Sequence, residues 1–398
     1  MKSVAIIGGG AAGCFCAIEL KRILPDAEVT IYEAQDKLLA KVAITGGGRC
    51  NLTNSFQDFR DSNGQIERLE YVYPRGHRLM KRLFNIFSPD DTIKWFENHG
   101  VKLVTQPDGC IFPKSQDAMQ IVRTLESLLK QTGVKIRTNY RINNISDLKE
   151  DIKVVTTGGK KTDKGYAFLS ETGMEMEKLC PSLFTFELSD KDLKTLSGTI
   201  ADNATLSIPK TKFKSSGILL ITDWGTSGPA TLKLSSYAAR FLSEANYKAP
   251  LTINWISKTQ DEALSILRKV ITENKLKKLS SINIDGLTNR LWSHIIDRST
   301  IREDIRCSEV GPKQLNKLSS TLTSDSYEIT GKGRFKEEFV TCGGVSLKEI
   351  DHNTLRAKKH PDIYFAGEVL DIDAVTGGFN LQAAWTTGYA VAHSIQQV

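Results

Sequence analysis

Two hydrophobic rhythms alternate along this chain. Residues 3–7 read Ser-Val-Ala-Ile-Ile, a β-branched run that predicts a short strand buried on both faces. Gly8-Gly9-Gly10-Ala11-Ala12-Gly13 follows at once, and Cys16, Leu20 and Ile23 keep helical spacing until Pro25-Asp26 stops the helix. Residues 28–32 predict a second strand, ending on Glu33. Near the other end, residues 362–366 predict another buried strand. Leu381, Ala384, Gly388, Val391 and Ile395 then fall on roughly one side of a closing helix. The middle reads differently. Residues 205–208, 217–222 and 251–255 are short strands between polar turns, which predict a small barrel or sandwich. Residues 260–322 have few glycines and helical spacing, as at Ala263, Ile266, Leu267 and Ile271.

These elements predict an α/β fold: a Rossmann-like domain of the glutathione-reductase type, interrupted by a β-rich part and a helical subdomain. At 398 residues the chain exceeds one core of typical size, so two or three domains are expected. The expected boundaries are 1–185 for the first part of the dinucleotide domain and 186–258 for the β-rich insertion. The helical insertion takes 259–336 and the closing part 337–398.

Charge and cysteine usage narrow the function classes. The net charge is +7, but it is spread along the chain. Its densest stretch, residues 268–278, is interleaved with Val, Ile and Leu and reads as one face of an amphipathic helix, so nucleic acid is not the expected partner. Seven cysteines occur without a CxxC pair, and Cys14 and Cys16 point to different sides of their helix. They read as free thiols in a reducing cytoplasm. The six histidines form no HExxH motif, so no metal is expected. No apolar run reaches about 18 residues, so no membrane insertion is expected. The oligomeric state is left open.

The glycine cluster satisfies G-x-G-x-x-G, and each position has a physical task. Gly8 permits the tight strand-to-helix turn, Gly10 lets backbone approach a pyrophosphate, and Gly13 lets the helix pack closely on the strand. The helix N-terminus offers unpaired N–H groups and a positive dipole end to phosphates. Glu33, 20 residues after Gly13, suits ribose hydroxyls and repels a 2′-phosphate.

Two further segments favour FAD over NAD. Residues 41–54, KVAITGGGRCNLTN, carry a second glycine cluster with Arg and Asn donors. The strand at 362–366 leads to Gly367-Glu368 and then to Thr376-Gly377-Gly378-Phe379-Asn380 before the closing helix. A distant strand and glycine-opened helix that complete an N-terminal dinucleotide domain suit an extended FAD, with the helix dipole aimed at the flavin. No second dinucleotide fingerprint follows residue 13: Gly331-Lys332-Gly333 lacks the third glycine and a preceding strand. NAD(P)H, if it is the electron donor, must therefore bind without a second Rossmann domain.

Six motifs together resemble the BaiN/YhiN-like bacterial flavoproteins, also called aminoacetone-oxidase-like FAD-binding enzymes. They are IIGGGAAG (6–13), ITGGGRCNLTN (44–54), TTGGK (156–160), TSGPA (226–230), TCGGVSLKEID (341–351) and FAGEVLDIDAVTGGFNLQAAW (365–385). The resemblance implies non-covalent FAD, with Gly8, Gly10, Ala12, Gly13, Glu33 and Ala34 at the adenosine and pyrophosphate part. It implies that Gly47, Arg49, Cys50 and Asn51 lie against the cofactor, and that Thr157 and Gly158 form the family's A-T-G-G turn. Gly367, Glu368, Asp371, Gly378, Phe379 and Asn380 would line the ribityl and flavin end, and Ile142, in the strand after Gly133, would contact adenine through its backbone. The chain departs from the family at Thr156, usually Ala, and at Ala374, usually Gly. Cys110 stands where Arg is common, and the loop at 160–165 is short.

The flavin would supply the redox chemistry, so no catalytic residue is singled out. Tyr73 and His77 are the loop candidates for proton transfer, with an exposed, solvated role expected for both. Cys50 lacks a CxxC partner and reads as a packing residue. TSGPA and the Cys342-Gly343-Gly344 turn read equally as domain-junction punctuation and as lining of a substrate cavity; Trp224 and Trp385 read as core or as stacking groups. The expected activity is an FAD-dependent oxidoreductase of a small organic molecule, oxidase or reductase. An FAD-dependent RNA-modifying enzyme and a low-turnover flavin-binding protein are the alternatives.

Overall fold

A computed structural model describes residues 2–284, 286–302, 304–333 and 340–397. The chain forms two compact units, one of Met1–Cys180 with Val340–Val398 and one of Pro181–Phe339. The boundary expected at 336/337 lies outside the described residues.

The first unit is built on five parallel strands: β1 (Ser3–Ile7), β2 (Glu28–Tyr32), β3 (Lys135–Arg137), β4 (Ile152–Val155) and β5 (Ile363–Phe365), in the order β5-β4-β1-β2-β3. Val4, Ala5, Ile6, Val154 and Phe365 are fully buried, which is what uninterrupted apolar runs produce when a sheet is covered on both faces. Helix α1 (Ala11–Ile23) follows β1, and α2 (Ala40–Gly48) follows β2. The closing helix α3 (Phe379–Gln396) packs on α1. A one-sided closing helix was expected. Instead α3 is buried almost all round, with Gln382, Thr386 and Thr387 fully inside. It tolerates these polar groups because each is hydrogen-bonded. Thr53 Oγ1 donates to Gln382 Oε1, Thr386 Oγ1 to the Phe87 carbonyl (3.0 Å), and Thr387 Oγ1 to the Ala383 carbonyl (2.6 Å). Trp385 is core: its indole N–H donates to the Leu52 carbonyl at 3.0 Å and its ring lies 5.5 Å from that of Phe15.

The second unit is a closed barrel of six strands, Phe186–Leu188, Ile200–Ser207, Lys214–Ile221, Gly225–Ser227, Ala249–Asn254 and Asp325–Lys332. Between the last two strands lie helices Gln260–Glu273, Asn289–Arg298 and Pro312–Thr323. One apolar core runs through strands and helices alike, including Leu206, Ile253, Trp255, Leu267, Trp292, Ile295 and Leu318. The strand Asp325–Lys332 escaped the sequence reading, although its alternation is clean: Asp325, Tyr327 and Ile329 are buried and Ser326, Glu328 and Thr330 exposed. The buried Asp325 masks the pattern. It is satisfied by Trp255 Nε1 (3.1 Å), Tyr327 Oη (2.6 Å) and Arg298 (2.8 Å). The basic stretch at 268–278 is only partly helical: its helix ends at Glu273, and Lys278 instead forms a β-bridge with Arg306. Among the described residues no helix is long and apolar enough to cross a membrane.

Candidate dinucleotide site

The carboxyl ends of β1, β2, β4 and β5 lie side by side, and each is followed by a segment that the sequence marks. Strands are added outward from β1 through β2 to β3 and then from β4 to β5 on its other side, so the strand order reverses between β1 and β4, and such a crevice is where open parallel sheets bind ligands. Gly8 takes φ +111° there, and a Cβ on it would stand 2.6 Å from the Thr156 carbonyl oxygen. At Gly13 a Cβ would meet the Gly8 carbonyl oxygen at 2.1 Å, so helix and turn touch backbone to backbone. Gly10 is the opposite case: nothing lies within 4 Å of where its Cβ would be. Gly10 is the N-cap of α1 and no side chain caps the helix start. Bare backbone at a helix N-terminus suits an anion.

Thr156, the departure from Ala, ties β4 to the turn: its hydroxyl donates to Gly8 (2.8 Å) and Ile7 (3.1 Å) carbonyls. Next to it the Thr157 hydroxyl is buried and has no hydrogen-bond partner among the described residues. Thr157 lines a cavity of about 160 Å³ together with Gly8, Glu33, Ala34, Ile142, Lys160 and Lys164 among others. That volume admits one end of a dinucleotide rather than the whole. Glu33 accepts hydrogen bonds from the Gly9 (2.7 Å) and Gln35 (2.8 Å) amides, which aim the carboxylate and leave lone pairs for hydroxyls. Burial, then Lys41, pushes the Lys160 ammonium down, opposed by Glu33. Ile142 reaches this cavity from coil and not from a strand. The strand after Gly133 is only Lys135–Arg137, because Asn139 takes φ +54° and turns the chain.

The second half of the site is held together by side-chain amides. Asn51 donates to the Thr53 carbonyl (3.1 Å) and accepts from the Gly378 amide (3.1 Å). Asn54 donates to the Gly377 carbonyl at 3.0 Å. Asn380 clamps its own loop, accepting from the Ala374 amide (2.9 Å) and donating to its carbonyl (3.0 Å). Gly47 stands in open space, while Arg49 is exposed with its guanidinium 4.7 Å from the Phe112 ring centre. Cys50 is buried, and burial pushes its thiol up to about 12. Burial likewise pushes Cys110 up to about 11. Glu368 lies against Gly158 and Gly159, accepts the Thr341 amide (2.9 Å) and pairs with Lys41 (3.3 Å). Asp371 is buried and accepts the Gly343 amide at 3.1 Å.

Several marked residues have their side chains elsewhere. Ala12 faces Gly367 and α3, and Phe379 turns into a cluster with Phe56 (5.0 Å) and Tyr73 (6.5 Å). Tyr73 is not exposed as expected: it is fully buried and its hydroxyl donates to the Phe379 carbonyl at 2.9 Å. His77 is half-buried, with Nδ1 inside and without a hydrogen-bond partner among the described residues. Others went unmarked. Lys41, Tyr166, whose hydroxyl donates to Gly158 (2.9 Å), and Thr387, which accepts the Gly367 amide (2.9 Å), all hold site segments. Only Lys160, directly after the T-T-G-G turn, carried a signal in its position.

The residues present fit a dinucleotide on three observations: bare backbone at Gly10, an unpartnered buried hydroxyl at Thr157, and a carboxylate aimed beside a cavity.

Residues 2–394 match the family model described as the HI0933-like protein Rossmann domain. The chain is 27% identical to a 3-dehydro-bile acid delta(4,6)-reductase of Clostridium scindens, with 98% of each chain covered. It is 26% identical to a ribosomal RNA dihydrouridine synthase of Haemophilus influenzae, again with 98% of each covered. In the same way it is 27% identical to the Escherichia coli protein of that name, over 98% of this chain and 97% of that one. Among solved structures it is similar in fold to a 3-ketosteroid delta1-dehydrogenase of Sterolibacterium denitrificans, with a TM-score of 0.50, 10% identity and all of each chain covered.

Proposed function

The chain belongs to the HI0933-like Rossmann family, and on that premise we propose that it is an FAD-dependent reductase of a carbon–carbon double bond conjugated to a carbonyl in a small organic molecule. The observation that carries the reading is the convergence of the glycine turn, Thr157, Glu33 and Glu368 on adjacent strand ends of one parallel sheet. Support for the substrate class comes from the relatives' names. A 3-dehydro steroid with 4,6 unsaturation and a uracil ring both present an alkene polarised by a carbonyl.

In this reading the α1 N-terminus and the Gly8–Gly13 turn hold the pyrophosphate, and Glu33 with the neighbouring cavity holds the adenosine. Gly47, Arg49, Cys50 and Asp371 would hold the ribityl and flavin end, where Asn51 and Gly378 tie the two flanking loops together. A flavin held there would supply the hydride chemistry that reduces an electron-poor alkene carbon. Asn51, Asn54 and Asn380 keep the loops around it in one geometry, which is what a positioned hydride transfer requires. The electron donor is NAD(P)H, which must reach the flavin without a second Rossmann domain.

The test is an anaerobic mix of purified yellow protein with NADH and then NADPH, followed by an enone panel. Bleaching of the oxidised-flavin band, reversed by an enone, is the expected result. A flavin that dithionite bleaches but neither nicotinamide does sinks the reductase reading in favour of an oxidase. A second reading, reduction of uracil in RNA, is favoured by two relatives' names and the +7 charge. It predicts salt-sensitive RNA binding and dihydrouridine formed in RNA incubated with the reduced enzyme.

A further inference from the structure

Strand β4 is followed by the turn Thr157-Gly158-Gly159, and Lys160 comes directly after it. Its aliphatic stem lies along Gly165, where an added Cβ would stand 2.6 Å from the Lys160 Cγ. The residue is half-buried and lines the same cavity of about 160 Å³ as Thr157 and Glu33. Both carboxylates within electrostatic reach of it are already engaged. Glu33 accepts the Gly9 and Gln35 amides at 2.7 and 2.8 Å, while Glu368 accepts the Thr341 amide at 2.9 Å and pairs with Lys41 at 3.3 Å. Among the described residues the Lys160 ammonium makes no hydrogen bond or ion pair. Arg141 and Lys164 also line the cavity, and among the described lining residues Glu33 is the one acid.

We propose that Lys160 binds a phosphate of the dinucleotide, with the Thr157 hydroxyl as a neighbouring donor and Arg141 and Lys164 at the rim, an inference that rests on the FAD reading above. Drawing an ammonium partly out of water costs free energy unless an opposite charge faces it, and here that charge comes with the ligand. Three cations, one engaged carboxylate and an orphaned buried hydroxyl fit a phosphate better than a neutral sugar or base. A lysine suits that group because a phosphate can be met by a point charge, without the planar fork of an arginine. The contact makes the site selective: a phosphorylated nucleotide gains from Lys160 and a bare nucleoside does not. Burial, then Lys41 and more weakly Arg141, push the ammonium below its ordinary 10.5, against Glu33 and Glu368. The charged form holds the phosphate, so the contact is complete at neutral pH and is lost as pH rises through that lowered value.

The test titrates the full-length chain, stripped of flavin, with adenosine, ADP and FAD by calorimetry. Wild type should bind ADP, and FAD should displace it. Lys160→Met keeps the stem along Gly165 and removes the charge. It should lose about ten- to hundredfold in ADP and FAD affinity, the worth of one charged hydrogen bond, and keep its affinity for adenosine. Lys160→Arg should recover most of the loss. As pH rises toward about 10, wild-type ADP affinity should fall while that of Lys160→Arg holds, because a guanidinium does not titrate there. Lys160→Gln gives the same comparison should Lys160→Met fail to fold. Equal ADP affinity in wild type and Lys160→Met takes the lysine off the phosphate and overturns the proposal. An equal loss for adenosine and ADP also overturns it, since it makes Lys160 a packing residue. A wild type that binds neither ADP nor FAD sinks the dinucleotide reading itself, and the role of Lys160 with it.

Discussion

Two glycine-rich regions flank the candidate site, and they use glycine for opposite reasons. At 8–13 the chain is bare: Gly10 has open space where a side chain would be, and no side chain caps the helix that starts there. At 374–380 the space is already filled by protein. A Cβ on Gly378 would meet the Thr53 carbonyl at 2.4 Å, and Asn51 bonds its amide. The first region leaves donors for a ligand; the second consumes its donors to lock two distant loops. A glycine cluster therefore marks a ligand only where the backbone it bares stays unpaired.

Substitution should separate the two roles. The largest effect is expected at Gly13→Val, whose side chain would be forced onto the Gly8 carbonyl. Overpacking of about 1–3 kcal/mol and loss of the turn should give colourless protein with a lowered Tm, read from the flavin-to-protein absorbance ratio and a melting curve. Gly10→Val sharpens the contrast: the apo Tm should hold while flavin retention collapses. An unchanged flavin content there would remove the pyrophosphate from this turn.

Asn380→Leu should do the reverse. It leaves the Ala374 amide and carbonyl unpaired inside the protein, for roughly 2–6 kcal/mol on the usual cost of about 1–3 per group. Urea melts should show the loss, with FAD affinity falling by less than stability. Glu33→Gln keeps shape and removes charge; FAD affinity should weaken about tenfold, or ~1.4 kcal/mol, by titration of apoprotein. Only a small drop in Tm is expected, because the new NH2 faces one of the two amides that the carboxylate accepts.

The smallest effect is a control on the same helix, remote from the glycine turn. Glu19 is fully buried in α1. Burial alone would raise its carboxyl, but the His393 imidazole 3.7 Å away and hydrogen bonds from Arg22 and Trp95 bring it down to about 2, against an ordinary 4.5. The folded carboxyl is the stronger acid, so its stabilisation is complete above about pH 5 and is lost as pH falls toward 2. Glu19→Gln should flatten the urea midpoint over that window and leave flavin affinity alone. A parallel loss of flavin would tie the helix's far end to the site.

Much of this was legible in contiguous residues. The run 3–7, the turn 8–13, the helix after it and Glu33 after the second strand each follow from dihedral freedom and local periodicity. The barrel strand at 325–332 was missed because a buried Asp325 breaks the apolar rule until Arg298, Trp255 and Tyr327 are beside it. Tyr73 read as exposed because its partner, the Phe379 carbonyl, lies 306 residues away.

The sequence by itself determined the α/β class, the first strand–turn–helix and the family, because these rest on short-range sterics and on motifs held within single segments. Tertiary structure alone decided which asparagines clamp and which carboxylate is aimed. Those pairings join residues far apart in the chain, and their energies exist only once the sheet brings the partners within hydrogen-bond reach.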